Sequence, residues 1–506
     1  MENNLMVKIW GQEVGRLSWD SRRKRAVFEY HPTFRKGSLD LSPLQASIHD
    51  SKTRFPFYGQ ANDGVFFGLP AFISDSMPGQ WGNTVFAAWA EANHIREKDL
   101  TSVDKLSFIG QRGMGALEFE PAEHIGNSMS IALEQLYEKA QQIQDQRETA
   151  VVAADDLSIE SLYEVGTSAG GQHTKAVIAR HRQTGEIRSG QILLPEDYTY
   201  YILKFAERDY YPLTRLEMVY ADMAKYAGIS MMPSELIEIG GEMHFLTERF
   251  DRENGKKIHT QTLAAMMPDA HSYEDLMEVC DKLKLPYKEK SETFRRMVFN
   301  VLTTNVDAHI RNFSFMLKPG ESDWHITPAY DLTFSCFNTG NRLDPSHYLR
   351  VNGKASYITK DDLLAFGRKN NINRPEEIIE QVADSVCSFR SLATKYGVPE
   401  YWQDKVEQHF AEMNPTILSR LSGYNSSVFS FVMPDTGKTI SDVYWEEMGN
   451  GAWRLHVTIE GEKRQRTFAA KSAIAKQVAE EGGIKMSENA MLRYVVLLFN
   501  EGREQQ

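Results

Sequence analysis

Asn305-Val306-Asp307-Ala308-His309-Ile310-Arg311-Asn312 is the stretch on which the reading of this chain turns. A carboxylate stands five positions before an amide, and Phe313-Ser314-Phe315-Met316-Leu317 follows with the pattern of a strand. A second short strand then ends in Thr327-Pro328-Ala329-Tyr330-Asp331. A carboxylate at a loop, an amide opening a hairpin and a carboxylate at its exit match the core of a phosphoryl-transfer site. There one acid faces the acceptor hydroxyl, and an Asn and a second Asp supply the hard oxygens that magnesium requires. The hairpin is expected to bring Asn312 and Asp331 together across its open end. On spacing alone a blander reading is favoured, in which Asp307 caps a turn and Asn312 closes a loop. On the same grounds His309 reads as a hydrogen-bonded loop residue.

At 506 residues the chain has room for two to four domains and for large cores. Hydrophobic residues make up 42% and charged residues 25%, the balance of an ordinary globular protein. A formal net charge of −12 lacks the global footprint of a stand-alone nucleic-acid binder, although a local basic patch is compatible with it. Cys280, Cys336 and Cys387 lie far apart and form no zinc or redox pattern, which suits a reducing cytosol. Met1 to Trp10 shows no apolar run after a basic start, and no stretch of about 18 apolar residues occurs. The expectation is a cytoplasmic protein with no membrane segment.

Residues 1 to about 125 read as a compact α/β or mainly β module. Val7-Lys8-Ile9-Trp10 and Val14-Gly15-Arg16-Leu17 flank a Gly-Gln-Glu turn, and Arg25 to Tyr30 alternates like a half-buried strand. Trp81 to Ala92 reads as a helix. The glycine-broken run Phe108 to Pro121 is assigned to tight turns, since no helix follows it as a phosphate loop would require. Ser130 to Ala150 reads as a charged, glutamine-rich helical connector and a module boundary. Residues 255 to 425 read as mostly helical, with Phe294, Val298, Val301 and Leu302 on one helix face ahead of the Asp307 loop. Later helices are expected at Pro375 to Ser388 and Trp402 to Met413. From about Gly423 strands are expected at Val428–Val432, Val443–Trp445 and Trp453–Ile459. Helices at Ala470–Glu481 and Asn489–Asn500 complete that small domain.

Gly166-Thr167-Ser168-Ala169-Gly170-Gly171-Gln172-His173-Thr174-Lys175 precedes a strand beginning Ala176-Val177-Ile178-Ala179. Small residues let backbone amides approach phosphate oxygens, and glycine permits the necessary dihedrals. A flexible hairpin is equally compatible with this stretch. Tyr200-Tyr201-Ile202-Leu203-Lys204-Phe205 is a hydrophobic strand with one lysine. Such a lysine is commonly an edge residue snorkelling outward; functionally it would pair with nucleotide phosphates and with Glu217, on a helix from Thr214 to Tyr226. Phe245 to Arg252 reads as a strand running into a hinge whose backbone suits an adenine edge. Each signal is ambiguous singly, but glycine-rich loop, strand lysine, helix glutamate, hinge, helical half, Asp-x-x-x-x-Asn and Asp follow one another in the order found in kinases.

Four stretches carry a family resemblance: Gly110-Gln111-Arg112-Gly113-Met114-Gly115-Ala116-Leu117; Ser168-Ala169-Gly170-Gly171-Gln172; Glu248-Arg249-Phe250-Asp251-Arg252; and Asp307 to Ser314 with Thr327 to Asp331. From about residue 5 to about 420 the chain resembles HipA-family serine/threonine kinases, the toxins of bacterial toxin–antitoxin modules. The resemblance implies an α+β, protein-kinase-like two-lobed fold with a helical C-terminal lobe, an N-terminal β-rich module and a small C-terminal α+β extension. The corresponding divisions are 1–145, 146–253, 254–424 and 425–506, and the tail from about 425 has no counterpart in the resemblance.

The resemblance also implies an ATP-dependent serine/threonine protein kinase with Asp307 as catalytic residue and Asn312 and Asp331 as magnesium ligands. Ala169, Gly170, Gly171, Gln172, Lys175, Lys204, Glu248, Phe250, His309, Asn312 and Asp331 would bind ATP and Mg2+. Thr167 or Ser168 would be the inhibitory autophosphorylation site in the loop. Implied partners are a protein substrate with a Ser/Thr acceptor, an aminoacyl-tRNA synthetase among the family's substrates, and a helix-turn-helix antitoxin through which operator DNA is reached. Two other readings are a kinase-fold co-repressor without strong catalysis and a small-molecule kinase, since a fold alone does not fix the acceptor.

Overall fold

The computed structural model describes residues 4–57, 66–123, 130–145, 157–166, 170–206, 211–335 and 346–414, with shorter stretches between 431 and 478. The chain divides into two compact units, Met1–Met413 and Asn414–Gln506. Among the described residues, no helix is long and apolar enough to cross a membrane.

The first unit opens with a five-stranded antiparallel sheet. Its spatial order is Arg54–Pro56, Arg25–Tyr30, Gln12–Asp20, Asn4–Ile9 and Leu117–Glu120. The expected turn between Ile9 and Gln12 joins the first two strands, and the alternation of Arg25–Tyr30 turns Ala26, Phe28 and Tyr30 into the core. Helix Gln80–Ala92 follows, one residue longer than its sequence pattern.

A second five-stranded antiparallel sheet forms the upper lobe, in the order Ile187–Ser189, Lys175–His181, Tyr198–Lys204, Glu242–Glu248, Ser234–Ile239. Helices Gln80–Ala92, Leu133–Asp145 and Leu157–Gly166 share one buried cluster with it, which includes Trp81, Trp89, Leu136, Tyr137, Tyr163, Ala176, Leu203 and Leu246. The connector expected at 130–150 is therefore a packed element in its described part. Few apolar side chains suffice for this, because Leu136, Tyr137, Ala140 and Ile143 all lie on the inner face. Helix Leu213–Tyr226 takes another face, where Met218 and Ala221 meet Phe245.

The lower lobe is mainly helical. Helix Tyr287–Leu302 buries Phe294, Val298, Val301 and Leu302 and delivers the chain to the Asp307 loop. Helices Pro375–Val386 and Glu400–Met413 occupy the expected segments. A three-stranded sheet, His259–Thr262, Ser314–Leu317 and His325–Ile326, contains the expected hairpin, with Phe315 opposite Ile326.

In the second unit, Phe431–Val432, Thr439–Glu447, Trp453–Ile459 and Glu462–Phe468 form an antiparallel sheet. Glu462–Phe468 is a strand that the sequence reading passed over, being rich in charge. Leu455 and Val457 are buried. The helix expected at 489–500, and most of that at 470–481, lie outside the described residues.

Candidate active site

Side chains along a strand alternate between faces. Tyr201, Leu203 and Phe205 point into the cluster of the three covering helices, so Lys204 must point the other way. Its strand is central in the sheet, flanked by Lys175–His181 and Glu242–Glu248. The edge-residue reading of Lys204 is therefore overturned: an inner strand offers its lysine no route outward, and the side chain is only 10% exposed. Its ammonium meets Glu217 at 2.8 Å and also donates to Asp331. Glu217 comes from helix Leu213–Tyr226, buried between Leu216 and Tyr220.

One cation between two carboxylates sets the electrostatics. Burial works against the Lys204 ammonium, but Asp331 and Glu217 outweigh it and its pKa is raised. Burial likewise opposes the Asp331 carboxylate, yet Lys204 and Lys175 hold it well below the usual carboxylate range. Glu217 is raised, because burial and the nearby Asp331 exceed the pull of Lys204.

The Asp307 loop is built by side chains that replace the hydrogen bonds of the finished helix. After Leu302, Asn305 donates to Asn300 at 3.0 Å, and Asn300 donates to the Tyr273 hydroxyl at 3.1 Å. Ser335 completes the brace, accepting from the Asp307 amide at 3.0 Å and donating to Asn305 Oδ1 at 3.1 Å. Asp307 itself stays exposed. Partial desolvation of its carboxyl raises its pKa, with His309 pulling down and Asp331 pushing up. His309 accepts from the Arg311 amide through Nδ1 at 3.2 Å, which fits the loop-residue reading. Its imidazole also favours the charged forms of both Asp307 and Asp331.

The Asn312 Nδ2 donates to the Asp307 carbonyl at 3.1 Å, leaving the amide oxygen as its acceptor end. Asp331 leaves the hairpin at φ +58°, a conformation that Asp tolerates better than most residues. The Tyr330 hydroxyl ties the hairpin exit to its entry, donating to the Arg311 carbonyl at 2.7 Å. Asn312 and Asp331 then line one small cavity with Asn300, Asn305 and Arg296. An amide oxygen and a carboxylate are hard donors of the kind magnesium takes, with phosphates and water supplying the rest. The residues present fit that ion.

Of the glycine-rich loop, Thr167, Ser168 and Ala169 lie outside the described residues. Gly170, Gly171 and Gln172 are exposed, and Lys175 reaches back to donate to the Gly170 carbonyl at 2.8 Å. His173, which sequence reasoning missed, acts electrostatically on both Asp307 and Glu217. Its only signal was its place in the loop.

The hinge stretch divides by function. Phe250 packs its ring 5.6 Å from that of Tyr330, the neighbour of Asp331. Glu248 is surrounded electrostatically by Arg180 and Glu235 rather than by the Lys204 group. Asp251 is buried and takes two bonds from Arg249 at 2.8 Å, one from Arg252 at 2.9 Å and one from the Gly115 amide at 2.8 Å. Arg252 in turn donates to the Gly113 and Gly115 carbonyls at 3.1 and 3.0 Å. Two of the four resemblance-bearing stretches thus meet as a structural clamp, in keeping with the tight-turn reading of Phe108 to Pro121.

A sequence model of the HipA N-terminal domain matches residues 5–120, and one of the HipA-like C-terminal domain matches residues 167–389. A putative kinase, Y4dM, of Sinorhizobium fredii is 23% identical over 236 residues, which is 42% of this chain and 57% of the relative. The serine/threonine-protein kinase toxin HipA of Shewanella oneidensis is 26% identical over 159 residues, 26% of this chain and 36% of that protein. The chain thus matches about half the length of these curated relatives, or less. Among solved structures, a chain of the Shewanella oneidensis complex of HipA, HipB and operator DNA superposes with a TM-score of 0.54 at 16% identity. That alignment covers 83% of this chain and 97% of the other, a likeness of fold. With both HipA domain models matched in order and the fold of the HipA complex shared, the chain belongs to the HipA family.

Proposed function

We propose that the protein is a HipA-like kinase that transfers the γ-phosphate of ATP to a serine or threonine of a protein substrate. The observation that carries this reading is the buried Lys204 held between Glu217 and Asp331, with Asp307 and Asn312 on the adjoining loop. Lys204 binds nucleotide phosphates, and Glu217 fixes its position. Asp331 and Asn312 would hold magnesium, which when bound would supply charge neutralisation on the phosphates. Asp307 orients the acceptor hydroxyl and takes up its proton, a task to which its raised pKa is suited. Catalysis by this set is positioning and charge neutralisation.

Thr167 or Ser168 is the proposed autophosphorylation site. A phosphate there would carry negative charge beside the nucleotide phosphates, so repulsion makes it inhibitory. A helix-turn-helix antitoxin is the proposed partner, with operator DNA reached through it; the solved HipA assembly to which the fold is similar contains HipB and operator DNA. An aminoacyl-tRNA synthetase is a candidate substrate by family resemblance.

The test is intact mass and phosphosite mapping of wild type and Asp307→Gln after incubation with ATP and magnesium. Phosphate on Thr167 or Ser168 in wild type alone is the expected result. An equal phosphate load on both proteins would sink the assignment of Asp307.

A further inference from the structure

We infer that the N-terminal module is part of the nucleotide site: Gly79 and Trp81, at the start of helix Gln80–Ala92, position the glycine-rich loop for phosphate binding. The inference rests on the nucleotide-binding reading above. Gly79 has φ −70°, a conformation open to any residue, so its backbone angle does not call for glycine. Space does. A Cβ there would lie 2.3 Å from the Gly171 nitrogen, 2.6 Å from its oxygen and 2.7 Å from the Gly170 carbonyl carbon. These neighbours are backbone and cannot swing aside as a side chain would.

Contact is reinforced by directed bonds. The first amides of a helix lack partners within it. Here the Trp81 amide donates to the Gly171 carbonyl at 3.3 Å. The indole of the same residue is fully buried and donates to the Lys175 carbonyl at 2.8 Å. One tryptophan therefore bonds both to the loop and to the first residue of the strand leaving it. Lys175 closes the remaining side with its bond to the Gly170 carbonyl.

The helix that makes these contacts is itself immobilised. Trp89 stacks on Tyr163 at 4.1 Å and donates to Glu160 at 2.7 Å. Asn83 ties the helix to the turn before it, donating to the Pro78 and Gly79 carbonyls at 3.1 Å. A glycine-rich loop gains conformational entropy when free, which is a cost to any ligand that must order it. Docking against a rigid helix removes that cost before nucleotide arrives. Gly79 and Trp81 are thus positioning residues, acting through Gly170, Gly171 and Lys175.

The test compares full-length wild type, Gly79→Ala and Trp81→Phe by titration calorimetry with Mg·ATP and with adenosine, which lacks the phosphates the loop would hold. Expected is a loss of Mg·ATP affinity of about fivefold or more in either variant, with adenosine affinity unchanged in a chain that still unfolds cooperatively. Hydrogen exchange at residues 170–175 should rise in step. A variant that keeps the wild-type ratio of ATP to adenosine affinity overturns the inference while leaving the nucleotide reading intact. Wild type that binds neither ligand overturns both. If the added methyl of Gly79→Ala prevents folding, Trp81→Phe, which removes the indole donor and part of the buried ring, is read by the same criteria.

Discussion

Lys175 and Lys204 stand directly opposite one another on neighbouring antiparallel strands. Like charges in that position are ordinarily destabilising. Here they divide their duties: Lys204 takes Glu217 and Asp331, while Lys175 bonds to the Gly170 carbonyl and adds its field to Asp331. The two cations together offset the two carboxylates, Glu217 and Asp331, that meet them there.

Glu217→Gln removes one of the two carboxylates on Lys204 while keeping its shape. Steady-state assays should show a rise in KM for ATP and a fall of about tenfold to a hundredfold in kcat/KM. Wild-type kinetics in the variant would contradict the positioning role of Glu217.

Asp307→Gln should reduce phosphoryl transfer by about a hundredfold to ten-thousandfold. Affinity for Mg·ATP should stay within about twofold of wild type, since Asp307 faces the acceptor. Asp331→Asn should behave in the opposite sense, with the magnesium dependence of nucleotide binding lost. Isothermal titration with and without magnesium separates the two.

Ser335→Ala tests the brace under the Asp307 loop. The Asp307 amide loses its acceptor, so kcat should fall about tenfold with ATP affinity unchanged. The result is read from the split between kcat and KM for ATP.

Asp251→Asn breaks the clamp between the hinge and the Gly110–Gly115 turn, leaving Arg249 and Arg252 buried without their anion. A loss of about 3–5 kcal/mol of stability is expected from urea unfolding. If the variant unfolds at the wild-type midpoint, the clamp is not structural.

Two buried histidines make the protein acid-sensitive. Burial pushes the pKa of His259 and of His347 down to about 4. The neutral form is the folded form, so their contribution is fully present above about pH 6.5, the unfolded value. It is lost as pH falls toward 4, by roughly 3 kcal/mol for each at that pH. Urea midpoints should drop between pH 7 and pH 5, and His347→Gln should flatten that slope.

Local order was legible along the chain because periodicity is a local property. Arg25–Tyr30 and Trp453–Ile459 begin and end as strands where their alternation does. The helix that carries Glu217, the helix before Asp307, and the hairpin between Asn312 and Asp331 follow from apolar spacing in the same way. The succession of loop, lysine, glutamate and Asp-x-x-x-x-Asn then pointed to the family.

Tertiary structure decided what spacing cannot carry. A lone lysine in an apolar strand reads alike at an edge or in the middle of a sheet, and only strand order put Lys204 inside. Ser335 lies 28 residues from the amide it braces and Asp251 lies 136 from Gly115. No periodicity links such positions. The same holds for Gly79, whose need for glycine comes from a backbone that packs against it and not from its own dihedrals. Sequence by itself determined which elements form and the order of the chemical groups, because those depend on neighbours in the chain. Which groups touch depended on how the elements pack, because a hydrogen bond of 3 Å is set by three-dimensional registry.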